Sequence, residues 1–510
     1  MSFLGIDLGT GSLKAAIVDE HGREQAVSSV AYALDTPHAG WAEIDVRTWW
    51  RALVDAIAGL PRDLRDGVRA IGLSGQMHGV VLTDAAGEAV RPAMLWPDSR
   101  ALDLLDAWPE PQPNPVAPGM AGPLLRWLVR HEQQTARRTR WALQPKDWLR
   151  VALGGARVTD ASDACATALA SPAGVWDTAL LARLDIPREW FAPLAASYAA
   201  SGALSPRAAQ ALGLRAGIVL ATGAGDTPCA ALGSGLAHAG DALLTTGSGG
   251  QIVVLANDEP AASRGLHRYR AASDHWYRMA AMQNVGIALE RVRGWLSYEW
   301  ADAYREAFGD AVSPASSNAT NANDATNTSA DDRASDPADA MLQASSSLTF
   351  LPYLSGERTP WLNPQARGGW LGLSLEHTRG AMMRAAFEGV AFSLRVGLDA
   401  IRASGAPVTA LKLAGGGSVD ARWRQLLADA LDVELHAVDC PNAAPRGAAI
   451  LGGLACGHWQ PGELAGLAPG ATRVAAPRGD AALAERYARF IELYARVEPW
   501  FGGTPHRGAR

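Results

Sequence analysis

FLGIDLGTGSLKAAIVDEHGREQAVSSVAYAL, residues 3–34, decides the architecture. Residues 3–7, 13–19 and 25–34 read as strands, and the links Gly9-Thr10-Gly11-Ser12 and Glu20-His21-Gly22 are short enough to force antiparallel pairing. From a cap at Asp45, the residues Val46, Trp49, Trp50, Leu53, Val54 and Ile57 recur at helical spacing until Pro61. Residues 68–74 are a short apolar run that ends in glycine turns, which fits a buried parallel strand better than a second helix. Strand, strand, strand, helix, strand is the opening of a ribonuclease-H-like unit: an α/β fold with a mixed sheet and helices on its faces.

The pattern returns in the middle of the chain. Residues 242–246, the turn Gly247-Ser248-Gly249-Gly250 and residues 251–256 repeat the first hairpin, with a third strand expected at 267–272. A chain of 510 residues exceeds what one core supports. Two similar units are therefore expected, residues 1–237 and 238–510. The second continues with a helix over 379–402, a strand at 410–413, the run Gly415-Gly416-Gly417, a helix over 422–431, a strand at 433–438 and a helix from Arg446. A last helix is expected over 481–497, stopping before Pro499. Residues 311–346 are dominated by Ser, Asn, Ala, Asp and Thr and predict a disordered surface insertion. Its two N-x-S/T matches, at Asn318 and Asn327, are read as accidental.

Charge and composition exclude several classes. A net charge of −6 with no basic run gives no footprint for nucleic acid. No run approaches 18 apolar residues and no export signal is visible, so no membrane role and a cytoplasmic location are expected. Cys165, Cys229, Cys440 and Cys456 lack metal-ligand spacing and suit a reducing compartment. Lysine occurs only at Lys14, Lys146 and Lys412, each a hint that an ammonium is wanted there.

P-loop, Rossmann, zincin and hydrolase-elbow motifs are absent. What remains is a set of glycine turns with hydroxyls and carboxylates. Asp7 ends a strand, and Thr10, Gly11 and Ser12 form a small-residue turn whose donors could meet phosphate oxygens, with Lys14 following. Gly247 and Ser248 repeat that turn, so the two could clamp one phosphate chain. Gly416 and Gly417 allow close approach of a flat ring or ribose. Gly75-Gln76-Met77-His78-Gly79 puts an amphipathic edge after a buried strand. Gly223-Ala224-Gly225-Asp226-Thr227-Pro228 reads as a turn and helix start with Asp226 as N-cap, a role that needs no chemistry.

Together these residues resemble the FGGY carbohydrate kinases, over residues 3 to about 497 apart from the insertion. IDLGTGSLK is similar to that family's first phosphate motif, GLSGQMHG to its xylulose-contact motif, and AMLWPDSRA to a substrate-side loop. QPKDWLR with TDASDA resembles a first-domain segment, LPYLSGERTPWLNPQARG and GLSLEHTRGAMMRAAFEGVAF the second-domain signatures, and KLAGGGSVDARWRQLLADAL the adenosine motif. The resemblance implies two tandem actin-like ATPase domains, the first on the sugar side and the second on the ATP side of a cleft, and transfer of phosphate from ATP to D-xylulose. It implies Asp226 as base and sugar contact, Met77 and His78 on the sugar, and Asp7 with Asp226 holding Mg²⁺ through water. Thr10, Gly11, Ser12, Lys14, Gly247, Ser248, Gly416 and Gly417 would bind ATP. Because a helix N-terminus favours an ionised carboxylate, Asp226 is expected to be a weak base that mainly orients the hydroxyl. A homodimer is compatible with the resemblance. Pro97 and Thr227 stand where the pattern has Asn, and Ser248-Gly249 where it has Thr-Ser. Kinases of the same family for ribulose, another ketose or a polyol, and a non-catalytic actin-fold ATPase, remain as alternatives.

Overall fold

The computed structural model describes residues 1–309, 347–417 and 419–501. The insertion expected at 311–346, with both N-x-S/T matches, lies outside the described residues.

Two seven-stranded sheets carry the molecule. In the first, Ser2–Leu8 pairs antiparallel with Ser12–Asp19 on one side and parallel with Val68–Gly75 on the other. Glu24–Ala31 extends one edge; Val219–Ala221 and the antiparallel Ala200–Ala203 extend the other. In the second, Ala242–Thr246 likewise lies between its hairpin partner Gly250–Ala256 and the parallel strand Ala410–Ala414. Glu434–Val438 and the antiparallel Ala471–Ala475 complete that side. The likeness between the regions around residues 7 and 247 thus extends through both sheets, down to the antiparallel strand at one edge of each.

Local chemistry explains the elements. The helix Val46–Ala58 is capped by Asp45, whose carboxylate accepts the Arg47 amide at 2.9 Å, and it buries Val46, Trp49, Leu53 and Ile57 on the sheet. The third strand of the second unit is Trp276–Met282, which pairs with Gly250–Ala256; the expected strand at 267–272 is His267–Arg270, one place further out. WYRMAAM has strand-favouring Trp276 and Tyr277 only at its start, and the Arg, Met and Ala that follow neither branch at Cβ nor alternate in polarity. The final helix runs Ala481–Phe501, through Pro499 rather than stopping before it. In a last turn the proline forfeits one backbone bond, and Phe490 and Tyr494, both fully buried, hold the helix in place by packing.

One helix crosses between the units. Ala443–Ala455 leaves the second sheet and packs on Ser2–Leu8, Val68–Gly75 and the helix Asp226–Gly233 of the first. The approach needs glycine: a Cβ at Gly5 would lie 1.7 Å from the Pro445 carbonyl oxygen, and one at Gly72 the same distance from that of Ala448. Arg446 secures it, donating to the carbonyls of Gly22 at 2.8 Å, Gly233 at 2.5 Å and Leu467 at 2.5 Å. Ile450 and Leu451 join Phe3, Ala70 and Cys229 in a core shared by both units.

Candidate active site

The carboxyl ends of three adjacent parallel strands form the site. Asp7 is in register with Ser74, and Ser74 with Ala224 of the short strand Ala224–Gly225. The turns that follow these strands, carrying Thr10, His78 and Asp226, therefore emerge side by side, where open α/β sheets bind ligands.

Side chains join the first two turns. The Gln76 amide donates to the Leu8 carbonyl at 2.9 Å and its side chain to that of Gly9 at 3.1 Å. Tyr32 donates to the same Gly9 oxygen at 2.6 Å. The Trp96 indole donates to Thr10 Oγ1 at 2.7 Å. A Cβ at Gly11 would meet nothing within 4 Å. Ser12 begins the next strand, and Lys14 stands opposite Asp7 across the hairpin.

Burial pushes Asp7 above the usual carboxylate range, opposed by the Ser74 hydroxyl, which donates to Oδ1 at 2.7 Å, and by the Lys14 charge. Asp226 is pushed up to about 7, by burial and then by the negative charge of Asp7. Both keep a strip of surface open to solvent. Two expectations for Asp226 are corrected here. The helix Asp226–Gly233 has Gly225 at its cap, with no side-chain cap bond, and Asp226 is its first residue. Asp226 Oδ1 accepts from the amide of its neighbour Thr227 at 2.6 Å and lies 3.3 Å from the Thr227 hydroxyl. The group is also not a weak base, since desolvation and Asp7 outweigh the helix terminus and place its proton affinity near neutrality.

His78 has φ +76° and lies 2.7 Å through Nδ1 from the Ala166 carbonyl. A carbonyl only accepts, so Nδ1 carries the proton and Nε2 is left as an acceptor. Burial, with the Arg358 charge adding to it against the Ala166 bond, lowers its pKa to about 4 and keeps the ring neutral. Met77, 6 % exposed, lies beneath the turn: a Cβ on Gly225 would sit 2.7 Å from Met77 Cγ. It packs in the floor of the site rather than lying open on its surface.

The second group of expected residues gathers on the other sheet. The Gly247 carbonyl accepts the Gly286 amide at 2.9 Å, and that of Ser248 accepts Ile287 N at 3.0 Å, tying this turn to the start of the helix Gly286–Trp295. Gly415, at φ +98°, abuts the Thr246 carbonyl, where its Cβ would come within 2.4 Å. Gly417 donates to that oxygen at 3.4 Å. Among the described residues, no atom beyond the chain neighbours lies within 4 Å of a Cβ at Gly416, which leaves room there for a ligand. No direct hydrogen bond joins the two groups among the described residues. A buried cluster links them, containing Met77 beside His78, Tyr269 and Tyr277, with Ala414 beside Gly415 packed against it.

Among the described residues no group of three or more His, Cys, Asp or Glu side chains could hold a metal ion. Asp7 and Asp226 form a half-buried pair of like charge, and Mg²⁺ is commonly held by one or two carboxylates plus waters and substrate phosphates, so the pair fits it.

The family model for the N-terminal domain of the FGGY carbohydrate kinases matches residues 2–233, and that for the C-terminal domain matches residues 243–456. The chain belongs to the FGGY family of carbohydrate kinases. As a member of this family it is a kinase, with ATP as a substrate and the two-domain actin-like fold. It is 34 % identical over 442 residues to the xylulose kinase of Escherichia coli K12, covering 84 % of each chain, and 32 % identical over 509 residues to that of Klebsiella pneumoniae, covering 97 % of this chain and 98 % of that one. A solved structure described as a xyloylose kinase from Brucella ovis superimposes with a TM-score of 0.86 at 31 % identity, covering 98 % of this chain and 100 % of that one.

Gln76 and Trp96 stand in turns that the sequence already marks, without a stated partner; Ser74 carries no signal of its own. Ser74 and Gln76 stand inside GLSGQMHG, so their signal was position within a motif already noted; Trp96 shows its role only through its contact with Thr10.

Proposed function

We propose that this kinase transfers the γ-phosphoryl group of ATP to the terminal hydroxyl of D-xylulose. The observation that carries the reading is the convergence, on adjacent strand ends, of the Asp7 and Asp226 carboxyls with a His78 ring whose Nδ1 is committed to Ala166 and whose Nε2 is left as a bare acceptor. The curated relatives named xylulose kinase, at 32–34 % identity over most of their length, support the sugar assignment.

In this reading the two glycine turns hold the phosphates, Gly416 and Gly417 lie against the adenosine, and Nε2 of His78 accepts a hydrogen bond from a sugar hydroxyl. Asp226 accepts the proton of the attacking hydroxyl as the phosphoryl group leaves ADP. Because the transition state is loose, catalysis rests mostly on positioning and charge neutralisation. Asp7 and Asp226 would hold Mg²⁺ through water, and when bound the ion neutralises charge on the phosphates. Lys14 adds fixed positive charge beside Asp7.

The chain is proposed to work in the cytosol. Its four cysteines are free, as a reducing compartment requires, and among the described residues no helix is long and apolar enough to cross a membrane.

The test is ADP release coupled to a reporter enzyme, run with D-xylulose, D- and L-ribulose, other ketoses and polyols. D-xylulose is expected to give the highest kcat/KM. A different preferred sugar overturns the substrate assignment, and ATP turnover indifferent to every sugar overturns the kinase reaction in favour of an ATPase switch.

A further inference from the structure

Beneath the site lies a charge cluster that the reaction itself does not use. The helix Pro145–Leu153 turns Lys146, Asp147 and Arg150 inward, and with Asp160 and Asp163 all five are at most 1 % exposed. Lys146 Nζ lies 2.8 Å from Asp147, 3.0 Å from Asp160 and 3.0 Å from Asp163, and Arg150 lies 2.6 Å from Asp147. Taking so many charged groups out of water is unfavourable, and hydrophobic side chains of similar size would avoid it. The cluster is therefore informative about what it holds.

It holds both ends of turn 222–225, which delivers Asp226. Arg150 donates to the Thr222 carbonyl at 2.5 Å. At the other end the Gly225 amide donates to Ser162 Oγ at 3.1 Å. Asp160 fixes the direction of that hydroxyl. Its Oδ2 accepts from Ser162 Oγ at 2.5 Å, from Ser162 N at 2.9 Å and from Ser197 Oγ at 2.8 Å, while Oδ1 faces Lys146. With the hydroxyl proton committed to Asp160, a lone pair is left for Gly225. The same segment serves His78, since the Ala166 carbonyl that orients the imidazole lies in the 3₁₀ turn Cys165–Thr167 that follows the helix Ala161–Ala164.

We propose that Ser162, oriented by the Lys146–Asp160 pair, is a positioning residue that sets the place of the Asp226 carboxyl. The segment 160–167 is then the common bed of base and imidazole. This rests on the reading of Asp226 as base. Without the hydroxyl, the buried Gly225 amide loses its acceptor and the turn can shift to find another. Displacement of a reacting group by about 1 Å costs on the order of a hundredfold in rate.

The experiment uses the full chain and sugar-dependent ADP release, comparing wild type with Ser162→Ala, Ser162→Thr and Asp226→Asn, each assayed at least 20 °C below its own melting midpoint. The expected result is a fall in kcat of ~10-fold to 100-fold for Ser162→Ala with KM for ATP within about twofold, and recovery of most of it in Ser162→Thr, which keeps the hydroxyl. Ser162→Ala within about threefold of wild type while Asp226→Asn is inactive overturns the positioning role and leaves the base reading standing. Ser162→Thr as slow as Ser162→Ala overturns it also, because the hydroxyl is then not what matters. An active Asp226→Asn removes the base reading and the positioning role with it.

Discussion

Replacing Asp226 by Asn should make the protein more stable as it removes activity. The folded carboxyl is pushed up to about 7 from an ordinary 3.8, which corresponds to ~4 kcal/mol. Its strip of solvent contact discounts that to ~2 kcal/mol. The sign follows from the direction of the shift. A carboxyl raised on folding contributes stability that is fully present below about pH 4 and is lost as the pH climbs through 7, where the folded state must carry the charge. Asn has no charge to lose and keeps an oxygen for the Thr227 amide. Melting midpoints measured without Mg²⁺ or nucleotide should therefore diverge between pH 4.5 and 8.5, with the variant gaining ~4 °C if the effect falls on a unit of about 230 residues. Its kcat should drop by on the order of a hundredfold or more. Parallel melting curves across that range would refute the buried, Asp7-coupled carboxyl, and a near-wild-type rate would refute the base.

His78→Asn keeps a side chain that tolerates positive φ and whose amide can donate to Ala166, but lacks Nε2; KM for the sugar should rise ~10-fold with an unchanged melting midpoint, read from initial rates. Gly72→Ala drives a methyl into the Ala448 carbonyl and should cost ~3 kcal/mol or more, seen as a lowered urea midpoint or loss of folded protein. Lys146→Met strips the cation from three buried carboxylates and should cost ~3–5 kcal/mol. That loss should be smaller at pH 6 than at pH 8, because Asp163, pushed to about 8 by burial, is already protonated at the lower pH; denaturant titrations at the two values check it.

The sheets were legible because their signals are local. Alternating apolar runs and glycine turns around residues 7 and 247 announce hairpins regardless of what packs on them. Trp276–Met282 escaped because Met and Ala say nothing about strands until a neighbour is known. Asp226 was misjudged for a related reason: the helix start next to it in sequence is visible, whereas burial and the charge of Asp7, 219 positions earlier, are not. QPKDWLR and TDASDA could be matched as motifs without chemistry, since hydrophobic patterning treats Lys146 and Asp160 as surface residues and only the fold puts them inside.

The docking of Ala443–Ala455 bears on how the chain is made. During vectorial synthesis the first sheet emerges early, yet the helix that covers one face of it, against Gly5 and Gly72, comes about 370 residues after Gly72. Until then that face is an apolar, glycine-floored surface open to solvent and to chaperones. The nascent N-terminal unit should remain protease-sensitive until ribosomes pass residue 455, and a fragment cut at the sequence boundary between the units should be insoluble unless the helix is supplied as a peptide.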